Sequence, residues 1–377
     1  MKKILIIYAT AGEGHKRAAF AIKDAFDRLN PKEAQIKIID VLDYTNTFFK
    51  RSYLAVYIFM VTHIPRIWGL FYYVLDWKWM YPFVKVARRL VNGINAKPFE
   101  EFLSNFNPDV VVSTHFLVGE VISNLKRKGR LKTKLVTCIT DFRIHSFWVS
   151  KETDFFCVGF SETRMDLVKK WGIPSERIQI LGIPTNPKFY ELKEKKDLCR
   201  KLRISEDLFT VLITGGGFGV GPIMALVKTL LKMDKPLQVL TVCGHNKNLK
   251  DKIDKLVSGN RRSAVVVKNY GFVDYVDELM TVSDMAVTKA GGLICSEALA
   301  KELPLIIIAP IPGQEGRNCR LLLVNNAAFR LNNPRRIERI VQNIYHNRDM
   351  LKTMKKNIQR IKRQDAGINI AKFSLKV

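Results

Sequence analysis

The chain has 377 residues, of which 47% are hydrophobic and 26% charged, and this balance excludes an intrinsically disordered protein. Its 62 basic and 35 acidic residues leave a net charge of +27, which predicts a polyanionic partner, either nucleic acid or an anionic membrane surface. The length predicts two domains. The six dispersed cysteines indicate buried thiols in a reducing cytoplasm. No run has the length and apolarity of a transmembrane helix.

Apolar, β-rich runs alternate with helix-patterned segments along the whole chain. The first run, in MKKILIIYATA, imitates a signal peptide, but it is short and leads directly into a glycine loop, so we interpret it as strand one. The alternation predicts an α/β fold with two Rossmann-like domains, which face each other across a cleft and are built on parallel sheets. The predicted strands are residues 3–9, 36–42, 109–114, 134–140, 154–158, 179–182, 209–214, 238–243, 264–267, 285–288 and 305–309.

The segment PTNPKFYELKEKKDLCRKL contains two prolines and many charges, which predicts a domain linker around residues 187–196. We therefore expect an N-terminal domain over residues 1–190 and a C-terminal domain over residues 197–349. The remaining residues, 350–377, form a basic helix that either crosses back onto the first domain or ends in solvent.

An insertion at residues 48–90 interrupts the pattern of the first domain. Residues 48–83 contain thirteen aromatic residues, among them three of the five tryptophans, and basic residues are interspersed with a single acidic residue, Asp76. One interpretation is a helical hairpin packed into the core. For the stretch as a whole we favour a monotopic element that docks on the anionic cytoplasmic face of the cell membrane and helps to gather a lipid acceptor.

The loop after the first strand places His15 at a tight turn into a helix. Gly12 and Gly14 have the spacing of a dinucleotide fingerprint, but Arg17 stands where the third glycine belongs. A lone histidine is usually structural, whereas one at the mouth of a cleft suits a general base that deprotonates an acceptor hydroxyl. Asp141 ends another strand, and it either orients His15, serves as the base itself, or caps a turn.

Glycine turns follow four strands of the second domain. A glycine turn lets the backbone approach an anion closely, and a helix N-terminus behind it adds partial positive charge. A diphosphate site is therefore predicted at the turn Gly291-Gly292, and Gly215-Gly216-Gly217 is a second turn predicted to meet either a phosphate or the acceptor.

The residues that follow the second turn complete a predicted nucleotide-sugar pocket. Glu297, in the helix after the turn, is placed to accept hydrogen bonds from a ribose. The next strand brings Gln314, Glu315 and Asn318 to the same edge of the sheet, where open α/β folds bind their ligands. No His, Asp or Glu cluster has metal-ligand spacing, so no metal is expected.

Seven motifs occur in an order that resembles one family, namely GEGHKRAA, TDF at 140, GIPTNP at 182, GGGFGVGP at 215, CGHNKNL at 243, KAGGLICSEALA and PGQEGRN. They look like those of the monogalactosyldiacylglycerol synthases and bacterial diacylglycerol glucosyltransferases, which are relatives of the lipid-II-forming N-acetylglucosaminyltransferase. The resemblance implies a GT-B fold and UDP-glucose or UDP-galactose as donor in the C-terminal domain. It also implies diacylglycerol as acceptor and inversion at the anomeric carbon without a metal or other cofactor.

By position, the resemblance also implies a role for each site residue: catalysis for His15 and Asp141, diphosphate binding for Gly291 and Gly292, ribose binding for Glu297, and sugar binding for Gln314 and Glu315. Two positions depart from the family pattern. Ile294 stands where threonine is usual, and Asn186 stands where arginine is expected after GIP. Both departures bear on donor affinity.

Three other functions fit parts of the sequence. The first is a glycosyltransferase with an undecaprenyl-linked acceptor of the lipid-II type. The second is a basic nucleic-acid-binding protein, although no RNA- or DNA-binding motif is present and we expect no nucleic acid as partner. The third is a catalytically silent sensor of UDP-sugar, for which Ile294 is the hint.

Overall fold

The fold is taken from a computed structural model of the chain. The model describes residues 1–10, 13–45, 55–56, 59–60, 63–83, 86, 97–260 and 263–377. Gly12 and part of the predicted insertion at residues 48–90 therefore lie outside the described residues.

The chain divides into two compact units. The first consists of Met1–Pro187, Ile311–Arg317 and Arg363–Val377, and the second of Lys188–Pro310 and Asn318–Lys362. The chain thus leaves the second unit twice, once for a seven-residue segment that carries Gln314 and once for its C-terminal end.

A six-stranded parallel sheet forms the centre of the first unit. Its strands are β1 (Lys2–Tyr8), β2 (Ala34–Asp40), β3 (Val110–Ser113), β4 (Lys134–Cys138), β5 (Phe155–Val158) and β6 (Ile178–Ile180). They are ordered β2-β1-β3-β4-β5-β6, and every neighbouring pair is parallel. Because β2 and β3 lie on opposite sides of β1, the strand order reverses at the β1/β3 boundary. Open parallel sheets bind ligands at the carboxyl ends of the strands beside such a reversal.

A second six-stranded parallel sheet forms the centre of the second unit. Its strands are β7 (Thr210–Thr214), β8 (Leu237–Val242), β9 (Val265–Tyr270), β10 (Met285–Thr288), β11 (Leu305–Ile308) and β12 (Ala328–Leu331). Their order, β12-β11-β10-β7-β8-β9, places the reversal between β7 and β10. The sequence analysis missed β12 because this edge strand, AFRL, exposes Arg330 and lacks a continuous apolar run.

Helices connect the strands in both units. In the described residues they are α1 (Glu13–Leu29), α2 (Pro65–Leu75), α3 (Lys97–Phe106), α4 (Phe116–Arg127), α5 (Ser161–Trp171), α6 (Lys195–Leu202), α7 (Ile223–Leu230), α8 (Lys247–Ser258), α9 (Val276–Val282), α10 (Gly292–Ala300), α11 (Gln314–Val324), α12 (Ile337–His346), α13 (Arg348–Ile361) and α14 (Ala366–Lys376). Parallel strands alternating with helices confirm the predicted α/β class. None of the described helices combines the length and the apolarity that a bilayer-crossing segment requires.

The core of the first unit explains why β1 reads as a continuous apolar run. Leu5 and Ile7 pack into the cluster on one face of the sheet, and Ile4 and Ile6 into the cluster on the other. The second cluster includes Ile370 of α14, which packs against α1. The C-terminal helix therefore belongs to the hydrophobic core of the first unit.

Candidate functional site

In the second unit, two glycine loops emerge at the strand-order reversal. β7 and β10 are hydrogen-bonded neighbours, so the loops that follow them begin side by side. Gly215, Gly216 and Gly217 follow β7, and Gly291 lies just before α10. The structure therefore places these two predicted ligand-binding turns at the same edge of one sheet.

Close backbone packing accounts for some of the glycines around these loops. A Cβ atom on Gly219 would lie 2.2 Å from the carbonyl oxygen of Cys243, and one on Gly244 would lie 2.2 Å from that of Gly217. No side chain fits in such a contact. These glycines are therefore required by the fold itself.

Gly216 and Gly291 are in a different situation. A Cβ on Gly216 would meet nothing within 4 Å, although its φ of +72° itself favours glycine. Gly291 has an ordinary φ of −66°, and its nearest would-be contact is Cγ2 of Ile294 at 3.4 Å. The space beside Gly216 is open, and a Cβ on Gly291 would make only ordinary van der Waals contact, so a ligand can approach the backbone at both.

The N-terminus of α10 offers hydrogen-bond donors behind Gly291. No side chain caps this end, so its first N–H groups and the positive end of the helix dipole are available to an anion. Asn318 is completely buried, and its Nδ2 donates to the carbonyl oxygen of Ala290 at 2.9 Å. Asn318 thus holds the backbone that leads into Gly291. Glu297 lies in α10 and is also buried.

In the first unit, His15 lies at the β1/β3 reversal. Its Nδ1 is 2.7 Å from the carbonyl oxygen of Thr114, directly after β3, and 3.1 Å from Oγ1 of Thr140. A carbonyl oxygen can only accept, so Nδ1 carries the proton and donates it. In the neutral imidazole the lone pair is then on Nε2, which makes no hydrogen bond to the part of the chain that the structure describes.

Aromatic neighbours surround the imidazole of His15. The ring of His115 packs edge-on at 4.5 Å, and that of Trp148 lies 6.0 Å away, both measured between ring centroids. Burial lowers the pKa of His15 to about 4, although the hydrogen bond to the Thr114 carbonyl raises it in part. The side chain is therefore uncharged at neutral pH, the state in which it can accept a proton.

Asp141 is buried, and both of its oxygens accept hydrogen bonds. Nε1 of Trp148 donates to Oδ2 at 3.0 Å, and Nε2 of Gln314 donates to Oδ1. Burial raises the pKa of Asp141 to about 6, against the lowering effect of these two hydrogen bonds and of the charge on Arg317. No hydrogen bond joins Asp141 to His15 within the described ranges. Trp148 lies near both residues, because its indole N–H binds Asp141 and its ring lies beside that of His15.

The motif PGQEGRN is divided between the two units. Gln314 and Glu315 belong to the segment Ile311–Arg317 of the first unit, whereas Asn318 belongs to the second. Gln314 binds Asp141, and Oε2 of Glu315 accepts the backbone N–H of Ile311 at 2.9 Å, which closes the turn before α11. The structure thus brings Gln314 together with Asp141 and places Asn318 with the glycine loop before α10.

The sequence analysis missed an ion-pair cluster around Asp76. This carboxylate is 2% exposed and accepts hydrogen bonds from Nζ of Lys170 at 2.6 Å, from Arg317 at 2.7 Å and from the backbone N–H of Ser146 at 2.7 Å. Burial alone would raise the pKa of Asp76, but these charges and hydrogen bonds hold it below its usual value. The sequence signal that could have revealed this cluster is that Asp76 is the single acidic residue in an aromatic stretch that also contains basic residues.

Asn186, the departure from the family pattern after GIP, donates from Nδ2 to Oδ2 of Asp24 at 2.6 Å within the first unit. Ile294, the other departure, lies in the first turn of α10. Across the described residues there is no group of three or more His, Cys, Asp or Glu side chains suited to a metal ion.

Comparison of the sequence with known families gives two matches. Residues 15–185 match the family model described as monogalactosyldiacylglycerol (MGDG) synthase, and residues 210–369 match the glycosyltransferase family 28 C-terminal domain. A probable chloroplastic monogalactosyldiacylglycerol synthase of Glycine max is 33% identical over 98% of this chain and 70% of that protein. The processive diacylglycerol beta-glucosyltransferase of Bacillus subtilis is 27% identical over 95% of this chain and 91% of that protein.

Solved structures show the same fold. MurG of Acinetobacter baumannii matches the whole chain with a TM-score of 0.66 at 15% sequence identity, and both chains are covered completely. UDP-GlcNAc 2-epimerase of Neisseria meningitidis, also covered completely, matches with a TM-score of 0.63 at 13% identity. The fold is therefore GT-B, as expected.

Proposed function

We propose that this chain, which belongs to the monogalactosyldiacylglycerol synthase family, transfers a hexose from a UDP-sugar to diacylglycerol with inversion at the anomeric carbon. The observation that carries the proposal is similarity over nearly the whole chain to two groups of enzymes, both named for the transfer of a sugar to diacylglycerol. Membership of an enzyme family also favours this function over a nucleic-acid-binding protein or a silent sensor.

The second unit supplies the proposed donor site. The diphosphate of the UDP-sugar lies against the open backbone at Gly216 and Gly291, where the uncapped N-terminus of α10 stabilises negative charge. Glu297 accepts hydrogen bonds from the ribose, and Asn318 keeps the loop before Gly291 in place through Ala290. As the bond to the sugar breaks, charge builds up on the departing phosphate. The positive end of the helix dipole stabilises this negative charge, so the proposed reaction needs no metal ion.

His15 of the first unit is the proposed general base. Geometry favours it, because Nε2 has a lone pair and no partner in the described chain, while both oxygens of Asp141 already accept hydrogen bonds. Nε2 takes the proton of the acceptor hydroxyl, the hydroxyl oxygen forms a bond to the anomeric carbon, and the bond from that carbon to the phosphate oxygen breaks. The products are the glycolipid, UDP and a protonated imidazole, which then releases its proton.

Asp141 is proposed to fix the surroundings of the base. Its carboxylate accepts hydrogen bonds from the Trp148 indole and from the amide of Gln314. The ring of Trp148 in turn lies beside His15. The raised pKa of Asp141, about 6, also makes it the alternative base. Gln314 is proposed to contact the transferred sugar from this position.

Thin-layer chromatography of lipid products tests the proposed reaction. The purified protein is incubated with dioleoylglycerol and either UDP-glucose or UDP-galactose, and in parallel with an undecaprenyl-linked acceptor. We expect a hexosyl-diacylglycerol from at least one of the donors. Transfer to the undecaprenyl acceptor alone would instead support the lipid-II-type alternative, and the absence of product with every pair would contradict the proposal.

An anionic membrane surface is the proposed location of the reaction. On α2, Ile67, Leu70 and Phe71 expose about half or more of their side chains, and Trp77 and Trp79 beyond it are also exposed. Exposed aromatic and aliphatic side chains on a strongly basic protein are typical of docking at the interface of an anionic bilayer.

Vesicle flotation with the variant Leu70→Glu tests the membrane proposal. A charge placed among apolar side chains opposes insertion, so we expect clearly less protein to float with phosphatidylglycerol vesicles. The control is Leu192→Glu, which changes an equally apolar and fully exposed leucine of the second unit. Equal flotation of both variants and the unmodified protein would contradict docking through α2.

A further inference from the structure

The hydroxyl of Tyr72, on α2, is buried and has no hydrogen-bond partner among the described residues. The side chain as a whole is 5% exposed. Burying a hydroxyl without a partner costs free energy, so natural proteins contain few such groups. Thr133, Trp171 and Tyr270 carry the other buried unpaired polar atoms in the described chain. Tyr72 differs from them in its position beside the candidate catalytic residues.

The ring of Tyr72 packs against the segment that carries Gln314. A Cβ on Gly313 would lie 2.9 Å from Cγ of Tyr72, and Gly313 also has a φ of +103°, so two constraints require glycine here. The next residue, Gln314, donates its hydrogen bond to Asp141. Tyr72 is therefore in contact with the neighbour of the residue that binds the catalytic carboxylate.

Several contacts fix the position of Tyr72. Nε2 of His145 donates to the Tyr72 carbonyl oxygen at 2.8 Å, and the two rings lie 4.1 Å apart. The guanidinium of Arg317 lies over the ring at 5.1 Å. One turn earlier in α2, a Cβ on Gly69 would lie 2.4 Å from Cβ of Pro312. The hydroxyl is thus held in a defined place, as a group that positions a ligand must be.

Burial keeps the hydroxyl of Tyr72 protonated. Burial raises the pKa of Tyr72 well above its ordinary value, the charge of Asp141 raises it further, and the charge of Arg317 opposes both. A protonated phenol can donate one hydrogen bond, and this bond has no acceptor in the described protein.

The opposite face of α2 suits the apolar part of a lipid. Leu70 and Phe71 are exposed there, whereas Gly69 and Tyr72 are the buried residues of the helix. A lipid that uses both faces of α2 would lay its acyl chains along Leu70 and Phe71 and direct its glycerol oxygens toward Tyr72. The ester and hydroxyl oxygens of a glycerolipid accept hydrogen bonds. They can therefore serve as the acceptor that the described residues do not offer to the Tyr72 hydroxyl.

We propose that Tyr72 binds the acceptor, and that its hydroxyl donates a hydrogen bond to a glycerol oxygen of the lipid beside Asp141. The inference rests on the proposed function and deepens it, since it names the residue that recognises the polar part of diacylglycerol. The substrate supplies the acceptor that the described residues do not offer to this hydroxyl.

The variant Tyr72→Phe tests this assignment, because it removes the hydroxyl and keeps the ring that packs on Gly313 and His145. We expect KM for dioleoylglycerol in mixed micelles to rise about five- to tenfold, the usual effect of losing one hydrogen bond to a substrate. KM for the UDP-sugar should not change. The melting temperature should stay equal or rise, since no hydrogen bond within the described protein is lost. Tyr73→Phe is the control, because Tyr73 is adjacent and 43% exposed.

Two results would overturn the assignment. One is an unchanged KM for dioleoylglycerol in Tyr72→Phe. The other is a lower melting temperature together with equal losses for both substrates, which would indicate a structural, water-bridged hydroxyl. An unmodified protein that transfers hexose to no diacylglycerol would overturn the proposed function, and this inference with it. An active protein indifferent to Tyr72→Phe would overturn the inference alone.

Discussion

The carboxyl ends of β1 and β3 in the first unit and those of β7 and β10 in the second are equivalent places in two parallel sheets, but different groups occupy them. The first is built from side chains, and His15 is hydrogen-bonded to Thr114, the residue after β3. The second is built from backbone, with open glycine loops and an uncapped helix end. A diphosphate carries a permanent charge that N–H dipoles can bind, whereas removing a proton from a hydroxyl requires a titratable group.

Burial acts on side-chain pKa values in the first unit and on the space around glycines in the second. In the first unit it sets the chemistry, because it lowers the pKa of His15 and raises that of Asp141. In the second unit the contrast is between glycines enclosed by other backbone, such as Gly219, and glycines where a Cβ would meet no close contact, such as Gly291. Glycine is therefore required by the fold at Gly219, whereas at Gly291 it is proposed to admit a ligand.

The variant His15→Ala should have the largest effect. Loss of the proposed general base should lower kcat by about 10²- to 10⁴-fold, while the KM for UDP-sugar stays nearly constant because the donor loops lie in the second unit. Initial rates of hexosyl-diacylglycerol formation measure this. The control is His346→Ala, an exposed histidine at the end of α12. Near-normal turnover by His15→Ala would refute the assigned base and direct attention to Asp141.

The pH dependence of kcat/KM separates the two candidate bases. His15 acts as a base only when neutral, and its pKa is about 4, so activity should hold through mildly acidic pH and fall about tenfold per unit below about 4. With Asp141 as the base, the fall would begin already below about 6, the pKa of that carboxyl. Circular dichroism at each pH shows whether the fold persists over the range. A decline that starts near the higher value would reassign the base.

The variant Gly291→Ala should have a smaller and more selective effect. The backbone at Gly291 accepts an alanine, since φ is −66° and the nearest contact would be 3.4 Å, so the melting temperature should not change. A methyl group at the diphosphate should weaken UDP binding about tenfold, as measured by calorimetry. In Gly219→Ala, by contrast, the new Cβ would lie 2.2 Å from a carbonyl oxygen, so this variant should lose stability. Equal UDP affinity in Gly291→Ala would place the diphosphate elsewhere.

Much of this protein can be read from its sequence because parallel strands buried on both faces appear as apolar runs, and the residues after them meet at one edge of the sheet. By this logic the sequence alone places His15 and Gly291 at strand ends. It failed for β12, whose exposed edge removes the pattern.

Contacts between distant residues were decided only by the tertiary structure. Gln314 and Asp141 are 173 positions apart, and their hydrogen bond arises because a short segment of the chain returns to the first unit. The same return places Gly313 against Tyr72 and Arg317 on Asp76. Local patterns record which face of a strand or helix is buried. They do not record which polar residue contacts the buried face, because that residue comes from another part of the chain.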